Sequence, residues 1–338
     1  MIGVVYEPFG VSFRKCGFLI AKGITRLGYT ENAVKLLPST TLMVCGKFKT
    51  SILIGDTIYT TSNQWHRYHA HFTEKLLFWC DSPIDFFKHL SDSEVDFLND
   101  YTCVVAVSKY DYDRLRERGV KVYGIVGRPL DEEIILKVRE SEDDKFKKLY
   151  GDYILTLGAD QILAPPRHPR KGLDIFDKAI GMIKSELKKQ GIKVIAITNW
   201  RLKNIDVRIP FGSLTEYDLL LLMKSSRLFV FPSRLEAFGM PPLEAMSVGT
   251  LVVYSNVPAH NEHCLGIPVE TNYVPIHELS PEISKYWVVY DYDYKDLAKT
   301  ILYALDISEQ EREKMTREAM RLSEKYFSKN IASLLLEV

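Results

Sequence analysis

Residues 228–250 read LFVFPSRLEAFGMPPLEAMSVGT. The opening run, Leu228–Phe231, is apolar at every position, as a strand is when both faces of its sheet are covered. Pro232 and Ser233 break the run, and Pro241 or Pro242 suits the first position of a helix, where a missing N–H costs nothing. Gly249 closes that helix. Strand, turn and helix in this order belong to an open α/β sheet. In such sheets ligands bind beyond the carboxyl ends of the strands, and a helix N-terminus offers free N–H groups to an anion. The turn is therefore an anion or sugar cradle. Glu236 lies in the turn and Glu244 eight positions later, so both carboxylates can face one crevice. Taken alone, Glu244 equally fits plain stabilisation of the helix dipole.

Working outward, short apolar runs alternate with helical patterns, the signature of parallel α/β units. Strands are expected at 2–6, 76–80, 103–108 and 122–126 in the first half, and at 153–157, 194–198, 228–231 and 251–254 in the second. Residues 42–62 are β-branched and glycine-containing without a helical period, which predicts a hairpin or an added strand pair. The charge-dense stretch 131–150 predicts a solvated helix leading to a boundary near Gly151. A chain of 338 residues exceeds one ordinary core, so two domains are expected, 1–150 and 151–325, followed by a terminal helix at 326–338.

Composition narrows the function classes. The 44 basic and 44 acidic residues cancel, which argues against nucleic acid or an anionic membrane as the main partner and makes any anion site local. Five scattered cysteines, none in a C-x-x-C pair, read as reduced thiols in a cytoplasmic protein. The amino terminus lacks the pattern of a signal peptide, and no run reaches the roughly 18 apolar residues of a membrane span. The expectation is a soluble, cytoplasmic protein, with peripheral membrane contact left open.

The segment from Glu236 to Glu244 reproduces the E-x7-E motif, and its surroundings resemble the retaining family-4 glycosyltransferases. The resemblance runs along most of the second half. Residues 153–158 followed by Arg170-Lys171-Gly172-Leu173-Asp174 are similar to the family's first donor-domain strand and its Lys-Gly helix start. Residues 209–214 resemble its base-contacting loop, residues 252–262 its next strand and glutamate, and residues 326–338 its terminal helix, which often crosses back to the first domain.

The resemblance implies a GT-B fold, two Rossmann-like domains facing each other across a cleft. It also implies a UDP-, GDP- or ADP-sugar donor held by the second domain, with no other cofactor, and transfer of a hexose with retention to a glycan, lipid or protein-linked hydroxyl. On this likeness Glu236 lies near the transferred sugar and Glu244 meets the ribose. Phe238, Gly239 and Met240 offer backbone N–H groups, and Gly212 and Ser213 meet the base. Lys171 faces the diphosphate, where a fixed cation stabilises the charge that develops on the leaving group. Its bland alternative is an exposed lysine ahead of a helix. The family places an arginine after the glycine of the first strand, but here Ala159 follows Gly158, so Arg167 or Arg170 supplies that charge or the phosphate site is weakened.

The first half matches less closely. Gly17 ahead of an apolar helix, 18–27, resembles a family glycine loop whose N–H groups face the diphosphate, although such a glycine is more often only a cap. Asp81 stands near the position of the family's usual histidine. Trp65-His66-Arg67-Tyr68-His69-Ala70-His71 lacks zinc-site spacing and a completing cysteine or carboxylate. His66 and His69 are candidates for an acceptor sugar or lipid headgroup, with a half-buried strand as the plain reading. No D-x-D lies in a suitable loop, so metal-independent transfer is expected. The rival readings are a nucleotide-sugar-binding protein without turnover and a carbohydrate hydrolase, which also uses paired carboxylates. A dehydrogenase is disfavoured because the glycine fingerprint is missing. Oligomeric state is not legible.

Overall fold

The computed structural model describes residues 1–6, 11–38, 48–55, 73–80, 90–158, 169–275 and 288–338. The chain divides into two compact units. The first comprises Met1–Asp131 with Ile283–Trp287 and Lys325–Val338, the second Glu132–Glu282 with Val288–Glu324.

In the first unit, six strands run β1 (Ile2–Tyr6), β2 (Val34–Pro38), β3 (Phe48–Gly55), β4 (Thr73–Cys80), β5 (Cys103–Ala106) and β6 (Val122–Ile125). They form one sheet in the order β2-β1-β3-β4-β5-β6, with every pairing parallel. Within 42–62 the described residues thus hold one central strand, β3, paired parallel to β1 and β4, and not a hairpin. Its partners lie far along the chain, so a local reading of glycines and β-branched residues could not find them. Helices α1 (Val11–Arg26), α2 (Asp92–Tyr101) and α3 (Lys109–Glu117) cover the faces. Ser91 caps α2 through a capping box with Glu94, and Ser108 caps α3, satisfying N–H groups that the helices cannot. Val5, Phe48, Phe78, Val104, Leu98 and Leu115 share one core.

The second unit opens with α4 (Glu132–Glu140) and α5 (Lys145–Tyr150). Placing them here moves the boundary to 131/132, where the sequence reading set it near 150. The charges of 131–150 conceal a buried stripe of Ile135, Val138 and Phe146. Lys224 further ties the end of α4 to this unit, its Nζ donating to the carbonyls of Val138, Arg139 and Ser141 at 2.8–2.9 Å.

The second sheet contains β7 (Tyr153–Leu157), β8 (Lys193–Ile197), β9 (Val207–Ile209), β10 (Leu228–Phe231), β11 (Val252–Ser255) and β12 (Ile267–Val269). It is again all parallel, in the order β12-β11-β10-β7-β8-β9. Every residue of β7, β10 and β11 is buried, which is why they read as unbroken apolar runs. The helices are α6 (Leu173–Lys189), α7 (Glu216–Ser225), α8 (Met240–Ser247), α9 (Pro258–His263), α10 (Tyr294–Asp306) and α11 (Glu309–Ser323). Phe176, Ile180, Ile183 and Leu187 recur at helical spacing on α6 and join Leu297, Ile301 and Leu305 of α10 in one core. Each such fully buried side chain contributes roughly 1.5–3 kcal/mol. A short antiparallel pair, β13 (Asn272–Pro275) and β14 (Val288–Asp291), completes the unit.

The last helix, α12 (Ser328–Glu337), belongs to the first unit and packs on α1. Its approach is close enough that a Cβ on Gly23 would stand 2.3 Å from the Ser328 carbonyl oxygen. Ile331, Ala332 and Leu335 are buried there, as are Leu19, Ile20 and Ile24 of α1. Among the described residues no helix is long and apolar enough to cross a membrane.

Candidate functional site

In the second sheet the strand order reverses between β7 and β10, so the connections leaving their carboxyl ends diverge and open a crevice. Two segments bring charged groups there. The turn Pro169–Lys171 precedes α6, and the loop 232–239 follows β10. They are fastened at Gly172, whose φ is +64°, and where a Cβ would lie 1.8 Å from the Pro232 carbonyl oxygen. Only glycine satisfies both conditions. The Arg234 N–H and the Ser233 hydroxyl both reach the Arg170 carbonyl, at 2.7 and 3.0 Å. Tyr292 donates to the Pro232 carbonyl at 2.8 Å, and Ser255 donates to that of Ser233.

This fastening delivers Lys171 to Glu236. Nζ lies 2.5 Å from Oε1, and the two side chains are only 13% and 9% exposed. Ser233 Oγ adds a hydrogen bond to the same carboxylate oxygen at 2.7 Å, and Nζ lies 5.5 Å above the Phe231 ring. Burial alone would raise the Glu236 carboxyl. The Lys171 and Arg170 charges, the Lys171 hydrogen bond and a smaller influence of His260 overcome it and bring it down to about 2. Lys171 is thus largely buried against its partner, and Glu236 is a carboxylate at any physiological pH.

Two residues before Glu236, Arg234 makes a different arrangement. Its guanidinium grips both oxygens of Asp174 at 2.6 and 2.8 Å and Asp291 at 2.8 Å. Burial opposes its charge, but the two carboxylates outweigh burial and raise its affinity for the proton further. Arg234 joins the loop, the first turn of α6 and the end of β14.

Behind the loop lie two buried histidines of α9. The Ser255 carbonyl can only accept, so the His260 Nδ1 at 2.9 Å carries the ring proton. That leaves Nε2 as a bare acceptor, and it has no hydrogen-bond partner. A Cβ on Gly239 would fall 2.5 Å from this Nε2 and 3.6 Å from Glu236 Cγ, so ring and glutamate border the same point. Burial lowers the His260 basicity, against an opposing pull from Glu236. His263 stacks on Phe238 with ring centroids 4.1 Å apart and donates from Nε2 to the Gly239 carbonyl at 3.3 Å. Burial, then the neighbouring His260, bring its ring down to about 3.

The structure places the remaining sequence candidates as follows. Gly239 caps α8 in the left-handed region with φ +91°, and Met240 is the first helical residue. Pro241 and Pro242 therefore occupy the second and third positions and remove two N–H groups from the first turn. Met240 alone of the first three helical residues then has a backbone donor, since Leu243 is placed to bond the Gly239 carbonyl within the helix. Phe238 and Glu244 are buried, at 5% and 7% exposure. Arg170 lies in the turn beside Lys171. Gly212 and Ser213 lie in an exposed turn after β9, where Ser213 donates to the Pro210 carbonyl at 2.7 Å.

Gly17 departs from its expectation. It falls inside α1, not ahead of it, packed near Leu36 and Tyr6, and offers no free helix-start N–H. A mid-helix glycine demanded by close packing looks, in sequence, like a cap. Arg167, Asp81, His66 and His69 lie outside the described residues. Among the described residues there is no group of three or more His, Cys, Asp or Glu able to hold a metal ion. Sequence reading passed over Ser233, Arg234, His260 and His263. The last two carried a faint signal in the i, i+3 spacing of Pro258-Ala-His-Asn-Glu-His263.

The sequence profile of the group 1 glycosyl transferases matches residues 201–321. ORF330 of Acidianus filamentous virus 2, which bears a glycosyltransferase name, is 26% identical over 262 residues, 74% of this chain and 71% of its own. The serotype-specific mannosyltransferase WbdA of Escherichia coli is 33% identical over 132 residues, 35% of this chain and 15% of its own. Among solved structures, Anabaena HepE in complex with UDP-glucose superposes with a TM-score of 0.70 at 13% identity, over 99% of this chain and 98% of its own. The fold is that of the GT-B glycosyltransferases, two parallel-sheet Rossmann-like domains, and these likenesses support a glycosyltransferase.

Proposed function

We propose that the chain transfers a hexose, with retention of configuration, from a nucleotide-diphosphate sugar to a hydroxyl of a glycan, lipid or protein-linked acceptor. The observation that carries this reading is the meeting of Lys171 and Glu236 at the sheet's reversal point, one cation and one carboxylate from segments 65 residues apart. A diphosphate arriving there competes with Glu236 for Lys171. The ammonium then stabilises negative charge on the leaving nucleotide, and Glu236 accepts hydrogen bonds from the sugar and favours positive charge at its ring. Arg170 adds charge beside Lys171, and Glu244 holds the ribose. Attack from the face of the departing diphosphate lets a phosphate oxygen take the acceptor's proton. This needs no metal. The UDP-glucose bound to HepE, a protein of the same fold, supports a nucleotide sugar as donor.

The test is a thermal-shift series with UDP-, GDP- and ADP-sugars in EDTA, on wild type and Glu244→Ala, followed by product analysis with acceptor mixtures. A ligand that binds only the folded state raises the melting temperature. A rise with one nucleotide family that Glu244→Ala abolishes, together with a glycosylated product of retained configuration, is expected. No rise with any donor overturns the donor site, and binding without product favours a non-catalytic sugar-nucleotide protein.

A further inference from the structure

Among the buried groups that the transfer reaction, as described, does not use is His260. His260 is 0% exposed, with its Nδ1 proton committed to the Ser255 carbonyl and its Nε2 without a partner. A buried acceptor left unbonded forgoes the hydrogen bond that water would have given it. A phenylalanine or leucine would fill the same space without that cost. The position of Nε2 supplies the reason. It borders the point shared by Gly239 and Glu236 Cγ, behind a carboxylate whose oxygen is taken by Lys171 Nζ and Ser233 Oγ. A bare lone pair cannot bond to a carboxylate. In the resting protein the ring therefore leaves Glu236 turned to its two donors.

The balance changes once Lys171 is drawn to an anion. Glu236 would then keep the Ser233 hydroxyl and the nearby charge of Arg170 but lose its ammonium donor, a state that favours the arrival of another positive donor. The charged and titratable groups around the ring are Glu236 and Lys171 from the crevice segments, Tyr254 at the end of β11 and His263 on its own helix. Of these, Lys171 opposes a proton on His260 and Glu236 favours it. Removing the lysine's charge leaves the pull of Glu236 and the Ser255 carbonyl to work against burial, the largest influence on the ring, without that added opposition.

We propose that His260 is a positioning residue for Glu236, whose Nε2 takes a proton from solvent, keeps it, and donates a hydrogen bond to the carboxylate when Lys171 leaves for an anionic ligand. The step forms one N–H bond at Nε2, breaks none in the protein, and consumes one proton from the medium. Glu236 then stays ionised and oriented while Lys171 serves the diphosphate. The role of Lys171 in ligand binding rests on the proposed function, but the exchange itself can be tested without any ligand.

The Lys171→Met variant imitates the lysine's departure. Histidine 15N NMR reads the protonation of each ring nitrogen, with the His260 signals assigned by their loss in His260→Asn. In wild type, Nε2 is expected to remain bare near neutral pH. In Lys171→Met it is expected to become protonated there, and the Lys171→Met/Glu236→Gln double variant should return it to the bare state. Melting curves confirm that each variant is folded, with Lys171→Gln as the substitute if the methionine variant is not. A His260 that stays bare in folded Lys171→Met, with the proton residing on Glu236 instead, overturns the proposal.

A second readout uses calorimetric titration with UDP-glucose in two buffers of different ionisation heat. Uptake of about one proton per ligand in wild type, absent in His260→Asn, is expected, because Asn can keep the Ser255 bond but has no Nε2. Binding without uptake overturns the exchange. Absence of binding counts against the proposed donor and leaves the NMR result to decide the exchange alone.

Discussion

Arg234 and Glu236 stand two residues apart in one loop, are both buried, and both make ion pairs, yet their surroundings differ in kind. Arg234 has three hydrogen bonds to two carboxylates that belong to separate elements. Glu236 shares one oxygen between a lysine and a hydroxyl, with an unbonded ring nitrogen nearby. The guanidinium cluster is saturated and can gain nothing by moving. The carboxylate cluster is under-committed, and an incoming anion can rearrange it. Burial and a salt bridge therefore do not by themselves mark a functional charge. What marks it is whether the donors and acceptors around it are matched in number.

The sharpest way to break this comparison is to remove each charge. Glu236→Gln keeps an oxygen for Lys171 and Ser233 but leaves the lysine without its counter-charge, so its stability should fall by about 1–3 kcal/mol. Its transfer rate, measured as product formed per unit time at saturating donor, should fall by about 100-fold or more, the scale of losing a preorganised electrostatic contact. Arg234→Ala should act chiefly on stability. A fully buried pair broken on one side costs about 3–5 kcal/mol, and partial exposure of the partner moderates this toward about 2–3 kcal/mol. Asp174 is 41% exposed. Denaturant midpoints read that loss. A transfer rate that falls equally in the two variants would erase the distinction between the clusters.

Acid provides a third test. His263 is held at about 3 against an ordinary 6.5, and Glu236 at about 2 against 4.5. In both cases the unfolded chain binds the proton more readily. Stability is therefore full above the unfolded value and is lost as pH falls through the window, 6.5 to 3 for His263 and 4.5 to 2 for Glu236. The melting temperature of the second unit should decline from about pH 6.5 downward, by a free energy on the order of a few kcal/mol by pH 3. His263→Phe keeps a ring on Phe238 and should flatten the upper part of that decline. The smallest expected effect is that of Ser213→Ala. It removes one exposed hydroxyl bond and should change stability by less than about 0.5 kcal/mol, while leaving the Glu236 phenotype intact.

Much of the fold was legible because parallel sheets covered on both faces write their strands as continuous apolar runs. Tyr153–Leu157 and Leu228–Phe231 could be read to the residue. Short edge strands such as Val34–Pro38 and Val207–Ile209 escaped, because a half-exposed run of three to five residues carries little pattern. At the candidate site, Glu236 was visible because it lies in the turn between Pro232 and Gly239, and Lys171 because Arg170-Lys171-Gly172 resembles a family motif. His260 was not, since its burial and the loneliness of its Nε2 arise only when α9 folds under Gly239. Gly17 misled for the opposite reason, its packing against Tyr6 and Leu36 being invisible along the chain.

The docking of α12 on α1 also has a consequence for the order in which the protein is made. The six strands of the second sheet, within residues 153–269, are all made before α12 is translated. The first 131 residues must meanwhile wait with the apolar side of α1, Leu19, Ile20 and Ile24, unsheltered. The first unit is thus closed only once α12 has been made, and a chain truncated before residue 328 is expected to leave that side of α1 open to aggregation and proteolysis.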